Sequence, residues 1–433
     1  AFGFGSDEGC WQYSYLQTTD LDFLGLTGST NLAGTPTTPF SGVWDGGGHV
    51  IRNLKLYDGE TLPDIGGLFG YVTGTIKNVG FVDENVTETP TVAALGIAGG
   101  LVGLLDGGVV SDSFVHLSVA AGGDGAAGLE GTGMAGGLVG VAASGSSVTR
   151  SYSTGSVQGY ISTEGVDSGA AAGGLIGYAW ADEADAPVSI TMSYSTATVN
   201  AVCSTGGPSD SGYVGGLIGF LTADDDEVRV ADSYASGALS AQGFDNDCAN
   251  SFGGGLAGLN LGGSITESYS NSSFGDGFTG PTGGLVSVQV EGTVRNSFWD
   301  VDTSGQTTSA GGTGKTTAEM RDLDTFTGAG WSISKGWSSS SPPTWGICAQ
   351  MNNGYPFLNW SADVDPCGDG PFAEFTFSLP TGEECTSISP MRATIGQQTR
   401  LPGADADCAT MPGSKIIGRV LDRDPEAVVG EGW

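Results

Sequence analysis

A Gly-Gly-Leu triplet begins at Gly66, Gly99, Gly136, Gly173, Gly215, Gly254 and Gly283, at intervals of 33, 37, 37, 42, 39 and 29 residues. Recurrence at such a period marks a repeat architecture, in which each unit is too small to bury its apolar face alone and must stack on its neighbours. Most triplets continue with an apolar residue and another Gly, as in Gly136–Gly140 and Gly173–Gly177. A second segment follows in register: Val148-Thr-Arg-Ser-Tyr-Ser, Ile190-Thr-Met-Ser-Tyr-Ser, Val230-Ala-Asp-Ser-Tyr-Ala and Ile265-Thr-Glu-Ser-Tyr-Ser. Val148 and Tyr152 stand four apart, as do Ile190 and Tyr194, so each pair is expected on one strand face, with Ser151 and Ser193 pointing the other way. A third short strand follows, such as Gly155–Val157 or Gly237–Leu239, before the repeats diverge. One repeat reads as three strands and a loop.

Stacked copies of that unit predict an all-β fold, a parallel β-solenoid or β-helix with capped ends and a small C-terminal β domain. Rungs rising by about 4.8 Å would make a rod roughly 40 Å long. The paired glycines are expected to serve tight corners with φ > 0 and close approach between coils. The 77 glycines leave few windows for a helical apolar stripe. A seven-bladed propeller competes, but a blade needs four strands where this repeat shows three.

Residues 1–60 read as the N-terminal cap and first coil, 61–303 as the solenoid, 304–368 as a C-terminal cap and 369–433 as a small disulfide-held β domain. The cap carries Trp331, Trp337, Trp345 and Trp360. Capped ends are needed because an open terminal rung offers unpaired backbone to other chains. The amino terminus shows no charged region followed by an apolar core, and numbering from Ala1 suits an exported, processed chain or a fragment.

Asp and Glu number 48 against 14 Lys and Arg, a formal net charge of -34, which repels nucleic-acid phosphates and anionic membranes. No run of 18 apolar residues is present, so no membrane span is expected. The seven cysteines include no Cys-x-x-Cys pair, and the only histidines are His49 and His116, so a zinc site is not expected. Three disulfides are expected, Cys203 with Cys248, Cys348 with Cys367 and Cys385 with Cys408, which places the chain in an oxidising compartment. Cys10 is left over, either as a free thiol or as a link to another chain.

Acidic loops occur at Asp182-Glu183 with Asp185, at Asp224-Asp225-Asp226-Glu227, at Asp245 with Asp247, and at Asp300 with Asp302. Hard cations prefer several oxygen ligands, so calcium at Asp224, Asp225, Asp226 and Glu227 is a candidate, against a plain solvated loop. No other cofactor is expected. Two carboxylates on adjacent rungs of a β-helix could cleave glycosides, but outward strand positions are mostly Ser, Thr and Gly. Ser309–Thr316 resembles a phosphate-binding loop, yet Ser309 stands where its first Gly belongs, so it reads as a polar connector leading into a helical turn at Thr317–Met320. Neither histidine has an evident partner for a Ser/His/Asp triad. Sequons at Asn85, Asn271 and Asn359 carry little weight.

The Gly-Gly-Leu-x-Gly, Val-x-x-Ser-Tyr-Ser and Gly-x-Val pattern resembles the GLUG-motif repeats of bacterial surface proteins over residues 60–300. The stretch from Asn296-Ser-Phe-Trp-Asp to Met320, and that from Trp345-Gly-Ile-Cys to Trp360, are similar to segments that close such arrays. The resemblance implies secreted or cell-surface adhesins, haemagglutinin-like proteins and non-catalytic parts of IgA-specific metallopeptidases, whose zinc motif this chain lacks. A right-handed coil follows from the likeness to most parallel β-helices. The expected function is an extracellular or cell-surface structural and adhesion protein, not an enzyme, whose loops contact copies of itself, matrix components or carbohydrate, with possible assembly into a filament or sheath. The alternative is a carbohydrate-active enzyme, a glycoside hydrolase or polysaccharide lyase, on a β-helix.

Overall fold

The computed structural model describes residues 8–24, 33–56, 62–84, 90–122, 133–161, 169–182, 186–203, 211–223, 227–243, 250–335, 343–361 and 367, with the backbone of strands Phe372–Ser378 and Lys415–Leu421. The chain divides into two compact units, Ala1–Trp331 and Ser332–Trp433. The boundary falls inside the stretch 304–368 expected as a single cap, because 301–331 belongs with the last coils while 332–361 builds its own sheet.

The first unit is a parallel β-solenoid. One coil runs Met134–Gly136, Val139–Ala143, Ser147–Thr149 and Tyr152–Ile161. The next coil repeats it, and each strand pairs in parallel with its counterpart, Val139 against Ile176, Val148 against Ile190 and Tyr152 against Tyr194. A coil therefore has four strand segments, not three. The first two belong to separate seven-stranded sheets, and the last two share one large bent sheet. Radial blades are excluded by this pairing.

The bend in the large sheet corrects the expected facing of its residues. Asn78, Asp112, Arg150, Met192, Asp232, Glu267 and Asn296 occupy equivalent places in successive coils, and all are left-handed, with φ between 44° and 54° (Arg150 45°, Asn78 53°). A left-handed residue breaks strict strand alternation. Val148 and Ser151 both face the core, fully buried, while Tyr152 stands outside and half-exposed. Each such residue other than Gly costs roughly 1–2 kcal/mol, so the surroundings must compensate.

A relay of serines supplies that compensation. Ser113, Ser151, Ser193, Ser233, Ser268 and Ser297 each donate a hydroxyl hydrogen to the carbonyl two residues back, at 2.7–2.9 Å. Each hydroxyl also accepts from a backbone N–H one coil earlier, at 3.2 Å between serines and 3.3 Å from Val79 to Ser113. Two buried backbone groups per coil, orphaned by the bend, are thereby satisfied.

The glycine pairs work by close approach alone, since none of them has positive φ. A Cβ on Gly137 would lie 2.0 Å from the Gly174 carbonyl oxygen, and one on Gly174 2.1 Å from that of Gly216. Leu101, Leu138, Leu175, Leu217, Leu256 and Leu285 then enter the core as one column, beside Val110, Val148, Ile190, Val230 and Ile265. Aromatic side chains fill the ends of that core. Phe40, Phe69 and Trp44 pack at the amino-terminal end with ring centroids 5.2 and 5.6 Å apart. At the other end Trp299 turns inward over Gly284 and donates its indole N–H to the Gln306 carbonyl at 3.0 Å.

The last rung is closed by 301–331. Ser309 Oγ accepts from the N–H groups of Leu285 and Val286 at 3.1 and 2.9 Å, and Thr313–Lys315 pairs with Phe298–Asp300, so the expected connector is partly a strand. Helix α1 (Val301–Ser304) precedes that strand, and α2 (Thr317–Met320) and α3 (Leu323–Thr327) follow it, with a Thr316/Glu319 capping box on α2. In the second unit, Ile333–Ser334, Trp345–Gly346 and Phe357–Leu358 form a three-stranded sheet. Phe372–Ser378 and Lys415–Leu421 pair antiparallel.

Replacing Ser193 by Ala would leave the Ser151 N–H and the Thr191 carbonyl buried without that partner. A loss of about 1–3 kcal/mol in chemical denaturation is expected. Gly137→Ala should be worse, because backbone must move, whereas Met192→Asn should be neutral to stabilising at its left-handed position.

Candidate functional surface

The outer face of the long strands carries residues in columns set by the parallel register. The column opened by the bend is aromatic: Phe114, Tyr152, Tyr194, Tyr234 and Tyr269 stack with centroids 4.7–5.0 Å apart and planes within 2–6°. The stack starts at Phe114 because its ring lies over Gly80, where a Cβ would be 2.5 Å away. At the other end Phe298 and Tyr269 are covered by Phe326 and Trp331, with Phe298 and Phe326 5.6 Å apart edge to face. Burial pushes the phenols of Tyr194 and Tyr234 above their ordinary 10.0, with neighbouring tyrosines adding to it. The stack is therefore uncharged at neutral pH, half-exposed from Phe114 to Tyr194 and buried beyond.

Beside it lie two columns of short side chains, His116, Thr154, Thr196, Ser236 and Asn271, then Ser118, Ser156, Thr198, Ala238 and Ser273. Thr196, Thr198, Ala238 and Ser273 are exposed. The next column holds Gln158, Asn200 and Ser240. Ser240 Oγ donates to Asn200 Oδ1 across the rung at 3.2 Å, and Asn200 Nδ2 donates to Oε1 of Gln242, which stands in register with Val202, at 3.4 Å. The short side chains of Thr196, Thr198, Ala238 and Ser273 are thus the exposed part of this face, between the ring column and the column of Gln158, Asn200 and Ser240, in which Asn200 is buried. Sequence patterning marked the Tyr and Ser positions but missed the outward ring column, since it placed Tyr152 inward.

Strands Tyr152–Ile161, Thr198–Cys203 and Ala238–Gly243 run on beyond the column of Gln158, Asn200 and Ser240. Cys203 closes one of these strands, while Cys248 lies outside the described residues, as do Cys385 and Cys408. Cys348 and Cys367 form the expected disulfide, with Cα atoms 5.6 Å apart. Cys10 is half-buried, and its carbonyl accepts the Tyr15 hydroxyl at 2.6 Å.

Of the candidate calcium ligands, Asp224, Asp225 and Asp226 lie outside the described residues. Glu227 is buried, and its Oε2 has no hydrogen-bond partner. No group of three or more His, Cys, Asp or Glu comes together among the described residues. Asp300 and Asp302 are helix-capping groups: buried Asp300 accepts from the N–H groups of Asp302 and Thr303 and from the Thr317 hydroxyl at 2.9, 3.1 and 2.7 Å. Both histidines have partners after all, His49 with Asp20 at 3.0 Å and His116 with Thr154 at 2.7 Å. Asn359 is buried, donating to the Pro343 carbonyl at 2.7 Å, which opposes its use as a glycan acceptor. Arg150 makes a two-point pair with Asp112 at 2.6 and 2.8 Å, whereas the next coils bring Asp232 and Glu267 to the bend together. These are carboxylates on adjacent rungs, set on the far side of the aromatic column from the hydroxyl columns.

A Gly-rich membrane protein of Evansella cellulosilytica is 35% identical to this chain over 116 residues. The match covers 26% of this chain and 13% of that protein. No family model matches the chain, and no solved structure matches it. Among the described residues, no helix is long and apolar enough to cross a membrane.

Desolvation, and secondarily Asp232, raise the Glu267 carboxyl above 4.5. Its protonated form costs nothing below that value, and stability falls as pH rises through the folded-state value. Glu267→Gln should therefore raise the melting temperature at about pH 7 and leave it unchanged near about pH 4. Removing the Cys348–Cys367 crosslink, with its separation of 19 residues, should destabilise the second unit by about 3 kcal/mol in denaturant titrations.

Proposed function

We propose that this chain is an extracellular or cell-surface structural and adhesion module, a β-solenoid rod that presents its variable inter-repeat segments to a partner. The observation that carries this reading is the division of labour within each coil. Ladders of Leu and of Val or Ile recur inside from coil to coil, while the spacing between successive Gly-Gly-Leu triplets varies from 29 to 42 residues. Function concentrates on loops held by a rigid scaffold. The Cys348–Cys367 disulfide supports an oxidising compartment, and the likeness to a Gly-rich membrane protein supports association with the cell boundary. The GLUG resemblance of the repeat points the same way.

Growth into a filament by end-to-end strand pairing has less support. The first strands, Ser14–Leu16 and Leu21–Asp22, are only three and two residues long, and the last rung is covered by 301–331. Short or covered edges oppose pairing with another chain. The alternative of a carbohydrate-active enzyme would draw on Asp232 and Glu267, with Glu267 as the protonated acid.

Antibody labelling of intact cells, before and after protease shaving, tests the main reading. Labelling of unpermeabilised cells that shaving removes is expected. Signal seen only after lysis, or release of shortened glycan by the purified chain with loss of that activity in Glu267→Gln, would sink it.

A further inference from the structure

We infer that two copies of this chain pair side by side through the outer face of one seven-stranded sheet. Its strands are Phe69–Val72, Val102–Asp106, Val139–Ala143, Ile176–Ala181, Ile218–Ala223, Ala257–Leu261 and Val286–Val290. The pairing joins the sides of two rods and not their ends, and it does not rest on the surface setting proposed above.

This sheet is apolar on both faces. Val72, Leu105, Ala142, Ala179 and Leu221 belong to the core. The residues before them point outward, and the parallel register sets them in a column of Tyr71, Leu104, Val141, Tyr178 and Phe220 that continues to Leu259 and Val288. Two residues further on, a second outward column holds Asp106, Ala143, Trp180, Thr222, Leu261 and Val290. Asp106 is the one charged side chain in these seven strands, and its carboxylate already accepts the Tyr71 hydroxyl. The adjoining sheet adds Ile97, Met134, Tyr213 and Phe252, and the rings of Tyr213 and Phe220 meet with centroids 5.2 Å apart. Parallel sheets with apolar residues on both faces are normally covered on both, and a contiguous apolar surface of this kind marks an interaction site.

The relief of the face selects a second copy and its orientation. Tyr178, Trp180 and Phe220 are half-exposed and Val290 is 52% exposed, whereas Val141 and Ala143 at 3% and Leu259 at 7% are recessed among them. A two-fold axis lying across the rod, between the rungs of Val141 and Tyr178, sets each column against itself in reversed order. Tyr178 of one copy then lies on Val141 of the other, Trp180 on Ala143, Phe220 on Leu104 and Tyr71 on Leu259. Large side chains meet small ones at every such position, as interdigitating layers require. Asp106 meets Thr222, so the two carboxylates do not face each other. Seven strands about 4.8 Å apart and about five residues long, at about 3.3 Å each, give a footprint of about 500 Å². The adjoining column widens it to about 700 Å², near the roughly 800 Å² per partner of a stable interface. A lipid surface is a poorer occupant, because the net charge is -34 and these strands carry no basic residue.

Sedimentation velocity of the full chain tests the pairing. A dimer is expected at about 10 μM. It should persist or tighten as NaCl rises from about 0.1 to about 0.5 M, because salt screens repulsion between two acidic chains and spares apolar burial. Tyr178→Glu should weaken it at least about a hundredfold with unchanged far-ultraviolet circular dichroism, while Thr198→Glu, on the outer face of the large sheet, should leave it intact. A second readout does not depend on how Tyr178→Glu folds. In a Cys10→Ser background, a bismaleimide spanning about 10 Å should link Leu104→Cys/Phe220→Cys chains into covalent dimers. Neither single variant should link, and within one chain the two positions are three rungs, about 14 Å, apart. A monomer at every concentration, a dimer that survives Tyr178→Glu or is lost in Thr198→Glu, or a single cysteine variant that links as well as the double one would overturn the inference. These readouts use purified chain, so loss of the dimer leaves the adhesion reading in place, and failure of surface labelling leaves the dimer.

Discussion

The structure depends on how the chain turns a corner inside its largest sheet without leaving backbone groups unpaired. A left-handed residue in every coil diverts the strand, and a diverted strand loses register with its own hydrogen-bond ladder. In a rod whose coils lie a strand spacing apart, water cannot reach those groups. The serine that follows the bend answers both needs with one hydroxyl, donating within its own coil and accepting from the one before. Because acceptor and donor come from different coils, each bend is completed by its neighbour, and the array becomes cooperative along its length.

That relay sets where everything else stands. Reversing the alternation at the bend puts the serine inside and the aromatic outside, so the aromatic column is a consequence of the corner and not a separate device. Stacked outside the core, the rings run beside columns of mostly short side chains along the coil axis. The carboxy-terminal helices use the same column differently, laying Phe326 and Trp331 over its last members. One stack thus serves as closure at one end and as surface at the other.

The core follows a complementary logic. Middle coils are filled by Leu, Val, Ile, Ala and Ser in matched columns, which pack because their counterparts are nearly identical. End coils lack a neighbour on one side, and large aromatics such as Trp44 and Trp299 take up the space. Among the described residues charge pairs are few and sit mostly at the surface, Asp112 with Arg150 and Asp45 with Lys77, where they contribute little to stability.

The solenoid itself was legible in the sequence, because a Gly-Gly-Leu triplet at near-constant spacing admits few stacked architectures and the spacing also fixed the strand register. The expected Cys348–Cys367 bridge was readable from proximity along the chain. The facing of the Ser-Tyr-Ser segment was not, since Arg150, Met192, Asp232 and Glu267 share no feature of residue type that announces a left-handed backbone. The close approach allowed by the paired glycines was legible too, but their expected use of positive φ was wrong, since none of them adopts it. Sequence determined which residues recur, and so which would stack. Tertiary structure decided which face they stack on, because a single left-handed residue in each coil, held by hydrogen bonds from the next coil, turns the tyrosines outward.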